Sequence, residues 1–209
     1  MSDLLPLFPL PNVVLFPNVF LPLHIFERRY REMVADALAS DRMIGMVLLR
    51  PGWERDYDGR PPIYSVGCSG VLTHNERLAD GRYNLVLRGI ERFRILEEDH
   101  ALSYRRALIE PLREQPLDAA DRAAILRQRS KLESMLVPSQ SNAADPRMPV
   151  SMSDEDLVNA LAQYLDLEAL EKQALLEKTS LRTRAESLVE LLEMKILMAR
   201  MPGASGVAH

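Results

Sequence analysis

The sequence predicts an α+β fold, a β-barrel with one intercalated helix followed by an α-helical bundle, and three observations carry that prediction. Residue usage changes near Arg113, from Val, Ile, Phe, Tyr, Gly and Pro before it to Leu, Ala, Glu, Lys and Gln after it, a change from strand-favouring to helix-favouring side chains. The first part holds about six short apolar runs of strand length broken by Gly bends and one Asp-Gly turn, which suits a closed or nearly closed barrel better than a doubly wound sheet. The second part repeats apolar residues at three- and four-residue intervals. The expected boundaries are 1–115 for the barrel, 116–201 for the bundle with a flexible connection near 137–152, and 202–209 for a disordered tail.

With 209 residues, 47% of them hydrophobic and 27% charged, the chain is neither intrinsically disordered nor a disulfide-stapled miniprotein. One segment needs separate treatment. From Leu4 to Phe26 there are 23 residues without a charge, long enough for a bilayer span. Pro6, Pro9, Pro11, Pro17 and Pro22 forbid a continuous helix there, since each internal proline costs about 3 kcal/mol. No Lys or Arg precedes the stretch and Asp3 does, so a signal peptide is not expected either. The expectation is a cytoplasmic protein without a membrane segment, its N-terminus an extended, buried strand region. The single Cys68 agrees with a reducing compartment.

The elements follow in order. Val13 to Phe16 and Val19 to Leu23 are β-type runs separated by the turn signal Pro17-Asn18. Phe26, Tyr30, Met33, Val34, Ala37 and Leu38 predict an amphipathic helix over 26–39 with one face on the sheet. Met43 to Leu49 is a buried strand, and the loop from Arg50 to Pro62 holds Trp53 and Tyr57 between Pro51-Gly52 and Asp58-Gly59. Asp80-Gly81 predicts a two-residue type I′ hairpin joining Val71–Leu78 to Arg82–Arg88. Gly67 and Gly70 around Cys68 and Ser69 predict a bulge or bend. Separate strands are expected from Glu91 to Leu96 and from Tyr104 to Leu112.

In the second part Asp118 is an N-cap for a helix reaching about Leu136. Ser153 with Asp156 resembles a capping box ahead of Leu157, Leu161, Tyr164 and Leu165 on one helical face. A third helix covers about Glu168 to Glu177. A fourth starts near Ser180 and stacks Leu181, Ala185, Leu188, Val189, Leu192 and Ile196 in one stripe.

Three segments then resemble a known family. LPLFPLPNVVLFPNVFLPLHIFERRY (Leu5 to Tyr30) is similar to the start of the N-terminal substrate-binding domain of the Lon protease family. YSVGCSGVLTHNERLADGRYNLVLRGIERFRI (Tyr64 to Ile95) resembles its second signature, and KQALLEKTSLRTRAESLVELLEMKI (Lys172 to Ile196) its helical portion. The resemblance implies a PUA-like β-barrel with a helical bundle behind it. It also implies a role in gripping non-native polypeptides, with unfolded or partly folded chains as partners and a separate protease or chaperone as a further one. The sequence contains no Gly-Lys pair, so no phosphate-cradling loop of the ATPase type exists in it. The expectation is a stand-alone, non-enzymatic domain without ATPase or peptidase, an adaptor in protein quality control, with no cofactor.

Site candidates are few. Cys68, His74 and Glu91 have the residue types of a nucleophile, base and orienting acid, but a cysteine between strand glycines equally suits a small buried filler; no catalytic residue is assigned. His24, His74, His100 and His209 lack metal-type spacing with one another or with Cys68. Trp53 and Tyr57, beside Arg50, Arg55 and Arg60, have the composition of an interface anchor, while Trp53 could instead fold back over the barrel's end. With Phe26 and Tyr64 they form the substrate-binding assignment. PUA-like barrels elsewhere bind RNA, and Arg88, Arg92 and Arg94, with Arg105 and Arg106, could form a basic patch. The chain up to and including Arg113 carries 15 Arg against 15 acids, so no basic excess supports nucleic acid.

Overall fold

The computed structural model describes residues 4–57, 59–136 and 152–200; apart from Met152, the connection expected near 137–152 and the tail expected at 202–209 lie outside them. Six strands form the first part: β1 (Leu5–Leu10), β2 (Phe20–Ile25), β3 (Met43–Leu48), β4 (Val66–Arg77), β5 (Tyr83–Asp99) and β6 (Arg105–Pro111). Helix α1 (Arg28–Leu38) sits between β2 and β3, and buries Tyr30, Met33, Val34 and Ala37 as its periodicity predicts. The strand order is β2-β5-β4-β3-β1-β6, and a further pairing of β5 with β6 closes five of the strands into a hydrogen-bonded ring. Leu5, Leu7, Val47, Phe93 and Ala107 form a core cluster of the sheet.

The prolines of β1 are tolerated because its two sides are used at different places. Leu5, Pro6 and Leu7 pair with β6, whereas Leu7 to Leu10 pair with β3. Pro6 and Pro9 thus each meet one ladder only, the situation of an edge strand, where a missing N–H costs nothing. Val13–Phe16, expected as a strand, is buried but unladdered. Its last amide is instead taken by a side chain, the Phe16 N–H donating to Gln163 Oε1 at 3.2 Å.

The two strands expected on either side of Gly89 are one strand of 17 residues. Its register against β4 shifts at Gly89, opposite Ser69 and Gly70, so the bend expected from the glycines around Cys68 is real, and it curves the strand without ending it. The Gly89 N–H donates to Val19 O and its carbonyl accepts from the Asn18 N–H, both at 2.9 Å. A Cβ at Gly89 would collide with the Phe16 carbonyl oxygen. The hairpin turn also differs from the type I′ expectation. Only Gly81 has a positive φ, 83°, and its N–H donates to Leu78 O while Leu78 N–H donates to Arg82 O. That is a three-residue loop with glycine at the left-handed position, because Asp80 does not take the second positive φ that type I′ requires.

Helices α2 (Ala119–Leu136), α3 (Asp154–Tyr164), α4 (Ala169–Leu176) and α5 (Leu181–Arg200) follow. Asp118 caps α2 through its Oδ1 and the Asp121 N–H at 2.7 Å, and Ser153 Oγ accepts the Asp156 N–H at 3.0 Å. The region 116–201 divides between two compact units. Asn159–Glu177 groups with the strands, and the rest of the helical region forms the second unit. The reason is polar burial that hydropathy does not register. Asn159 Nδ2 donates to Pro17 O at 3.3 Å and Gln173 Nε2 to Val66 O at 3.0 Å. The buried face of α3 is accordingly Leu157, Val158, Asn159, Ala162 and Gln163, while Tyr164, expected inside, is 67% exposed.

In the second unit α2 packs on α5. Asp121 with Arg182 and Lys131 with Glu193, each pair at 3.3 Å, show that the two helices run in the same direction. The stripe on α5 is buried at Leu181, Ala185, Leu188 and Val189 and fades beyond. Arg184, fully buried in that stripe, is ion-paired with Glu114.

Two outcomes follow. Gly89→Ala lowers stability by about 2–3 kcal/mol, because the collision is with backbone that has no rotamer to escape to; urea unfolding measures it. Glu114→Ala leaves the Arg184 charge buried without its carboxylate and costs about 3 kcal/mol, whereas Glu114→Gln, which keeps an acceptor, costs less in the same assay.

Candidate functional site

The region around the start of α1 concentrates charge and aromatic rings. The helix has no acidic residue in its first turn, and Arg28, Arg29 and Arg31 stand there against the positive end of the helix dipole. Glu27, in extended conformation before the helix, offsets part of this charge. Its Oε2 accepts from Arg29 Nε at 3.1 Å, and its Oε1 accepts the Tyr57 hydroxyl in a short hydrogen bond. Arg29 also donates to the Tyr57 carbonyl at 3.2 Å and lies over the rings of Tyr30 and Tyr57 at 4.7 and 5.2 Å. The loop bearing Tyr57 is thereby pinned to α1.

Trp53 opens a short 3-10 helix, Trp53–Asp56, and meets the Tyr57 ring edge-on with centroids 5.4 Å apart. It is half-buried. Phe26, the residue before Glu27, is 62% exposed and stacks on His24 at 6.4 Å. Three of the four assigned residues, Trp53, Tyr57 and Phe26, are therefore connected through Glu27. Tyr64 is held elsewhere, under the Arg50 guanidinium at 5.0 Å.

Beside this array is a cleft of about 310 Å³, walled by Arg29 and Tyr30 of α1, by Tyr57, Gly59, Arg60 and Pro61, and by Leu102 to Arg105. Arg105 is buried and donates to Glu98 at 3.0 Å and to Pro61 O at 2.5 Å. Arg60 donates to the carbonyls of Asp99 and Leu102 at 3.4 and 3.1 Å. Tyr104 donates to Asp36 at 2.7 Å. Burial holds the Arg105 pKa below the usual arginine value; Glu98 opposes this and Arg60 adds to it. Burial pushes the Tyr30 hydroxyl up to about 12, against the pull of Arg29. Tyr57 and Tyr104 are also raised, by burial and by their bonds to Glu27 and Asp36.

The three arginines of the expected basic patch do not share a surface. Arg88 is exposed and donates to Asn18 Oδ1 at 3.3 Å, and Arg94 is exposed and pairs with Glu110 at 3.6 Å. Arg92 is 3% exposed and donates to the Leu176 carbonyl at 3.0 Å, capping the end of α4. Cys68 is fully buried. His74 lies six residues along the same strand, about 20 Å away at the rise of a β-strand, so these two cannot act as nucleophile and base. Among the described residues no group of three or more His, Cys, Asp or Glu could hold a metal ion, and no helix is long and apolar enough to cross a membrane.

Sequence reasoning missed Glu27, Arg29 and Tyr30 as site residues; it named Arg60 only as a neighbour of Trp53 and Tyr57, and Arg105 only with the basic patch. The available signal was Glu-Arg-Arg-Tyr at a predicted helix start, repeated in part by Tyr-Arg-Arg at 104–106, a density of arginine beside tyrosine unusual for a solvated face.

Residues 4–194 match the family model described as the substrate-binding domain of ATP-dependent protease La (LON). Similar proteins include Lon protease 2 of Myxococcus xanthus, 27% identical over 92% of this chain. Lon protease of Anaeromyxobacter dehalogenans is 29% identical over 91% of it. The chain spans about a quarter of the length of these relatives, 24% and 23%. Among solved structures, a Lon N-terminal domain protein from Xanthomonas campestris aligns with a TM-score of 0.57 at 22% identity, covering 96% of this chain and 99% of that one. The N-terminal domain of a Mycobacterium avium complex Lon protease aligns at 0.65 and 17% identity, covering 91% and 98%. At these identities both speak for the fold.

The raised tyrosine values give a signed pH dependence. Burial raises the Tyr30 pKa from its ordinary 10.0 to about 12, so its contribution is intact below pH 10 and is lost as pH rises toward 12, by about 3 kcal/mol. Urea midpoints fall across that window, and Tyr30→Phe, which cannot ionise, falls less steeply.

Proposed function

The chain belongs to the family of the substrate-binding domain of ATP-dependent protease La (LON), and on that premise we propose that it is a non-enzymatic module binding unfolded or partly folded polypeptides through exposed apolar segments. In this reading it serves as an adaptor in protein quality control, delivering what it holds to a separate protease or chaperone. The observation that carries the reading is the exposed Phe26 at the end of β2, joined through Glu27 to Tyr57 and Trp53. Aromatic side chains supply large contact area at low entropic cost, and Trp and Tyr dominate binding hot spots.

The strand leading to Phe26 supports the same reading. β2 stands at the end of the sheet order and has β5 as its one strand neighbour among the described residues; Phe20, Pro22 and His24 on it are exposed. An extended segment laid along such an edge gains backbone hydrogen bonds and seats alternate side chains on the aromatic strip. Proline at 22 removes one donor from the edge, which keeps this pairing short. Burying two or three aromatic rings at about 25 cal/mol per Å² leaves affinity in the micromolar range after the entropy of ordering the partner.

Titration with a permanently unfolded, reduced and carboxymethylated protein therefore gives micromolar binding, weakened about tenfold in Trp53→Ala and in Phe26→Ala. No association at any accessible concentration overturns the reading. A single-stranded RNA bound more tightly than the unfolded protein, with a steep salt dependence, also overturns it.

A further inference from the structure

The cleft beside the aromatic strip is lined by cationic side chains. Three guanidinium groups, those of Arg29, Arg60 and Arg105, line it, and two carboxylates answer them, Glu27 for Arg29 and Glu98 for Arg105. Arg60 has no carboxylate partner among the described residues; its donors are held by the carbonyls of Asp99 and Leu102. The Tyr30 hydroxyl, on the same wall, has no hydrogen-bond partner among them either. The surroundings add positive potential, because α1 presents its N-terminus here without an acidic residue in its first turn. Arg60 and Arg105 also stand close enough for the charge of one to oppose protonation of the other. Keeping like charges together costs stability unless an anion joins them.

We propose that this cleft takes a carboxylate of the bound polypeptide, with Arg60 as its ion-pair partner and the Tyr30 hydroxyl and a remaining Arg105 donor completing its hydrogen bonds. The proposal rests on the polypeptide-binding reading above and sharpens it to chains that offer an acidic group next to an apolar segment. The size of the site favours a carboxylate over a nucleic-acid backbone. About 310 Å³ holds one headgroup and a side chain or two, and Arg88, Arg92 and Arg94 do not extend it into a phosphate-tracking stripe. A carboxylate also matches the planar fork of arginine. It can come from a chain's C-terminus or from an Asp or Glu side chain.

The test uses fluorescein-labelled decapeptides of Leu, Phe, Ala and Ser in three forms: free C-terminal carboxylate, C-terminal amide, and amide with one internal Glu. The expected result is that at least one carboxylate form binds about tenfold more tightly than the plain amide, and which form does so identifies the source. Added salt narrows the difference. Arg60→Gln removes it, acid and amide then binding alike, and Arg60→Lys restores part of it, which shows that the loss is one of charge and not of folding. If the plain amide binds as tightly as both carboxylate forms, the carboxylate proposal is overturned while polypeptide binding stands. If none of the three binds, both are overturned. A ten-nucleotide uridine RNA whose binding is lost in Arg60→Gln assigns the cleft to phosphate and overturns the proposal.

Discussion

One strand serves three partners, and the rest of the sheet depends on its being able to. β5 pairs with β2 and β4 along its first half and with β4 and β6 along its second. A straight strand of 17 residues would run past the ring it has to close. The register shift at Gly89 bends it there, and the same glycine lets the Phe16 carbonyl approach to where a side chain would stand. Curvature, closure and the path of the N-terminal segment are thus set at one residue without a Cβ.

What could be read from the sequence followed hydropathy and turn chemistry. The proline-rich, charge-free opening, the amphipathic α1, the buried β3, the glycine bend and the caps at Asp118 and Ser153 all report themselves through local residue types, and the structure has them in place. The errors share a cause. Glycine in a strand pattern reads as an end where Gly89 is a bend, and Val13–Phe16 reads as a strand because hydropathy cannot tell a ladder from a side-chain acceptor such as Gln163. Apolar spacing puts Tyr164 on one face with Leu157, Leu161 and Leu165, whereas Asn159 and Gln163 take the buried positions. In each case a tertiary hydrogen bond overrode a local preference.

The candidate site divides in the same way. Trp53 and Tyr57 stand out by composition in a loop bounded by Pro and Gly, and they do touch. Their connection to Phe26 runs through the Glu27 carboxylate, whose only mark in the sequence is the Arg-Arg-Tyr that follows it. The cleft is assembled from three separated segments, and although Arg29 and Arg105 each stand in an Arg-Arg pair beside a tyrosine, Arg60 does not. Arg92 gives the opposite lesson, since an arginine between the exposed Arg88 and Arg94 on the same strand turns out to cap a helix from inside. Charge read along a strand gives sign and number but not the face that each side chain takes, least of all beside a bulge.

The division of the chain into units bears on how it is made. The last strand of the ring ends at Pro111, yet Gln163, Gln173 and the end of α4, which satisfy Phe16, Val66 and Arg92, are encoded about fifty to sixty-five residues later. At ribosomal rates of about 5–20 residues per second, the strands emerge roughly 3–13 seconds before the groups that complete their hydrogen bonding. During that interval Arg92 lacks the carbonyl that receives it, and the first unit stays open at that side. The sequence separation of these contacts raises the contact order of a unit whose strands alone would fold faster. A nascent chain in that state shows apolar surface of its own, exposed for those seconds to whatever else is in the cell.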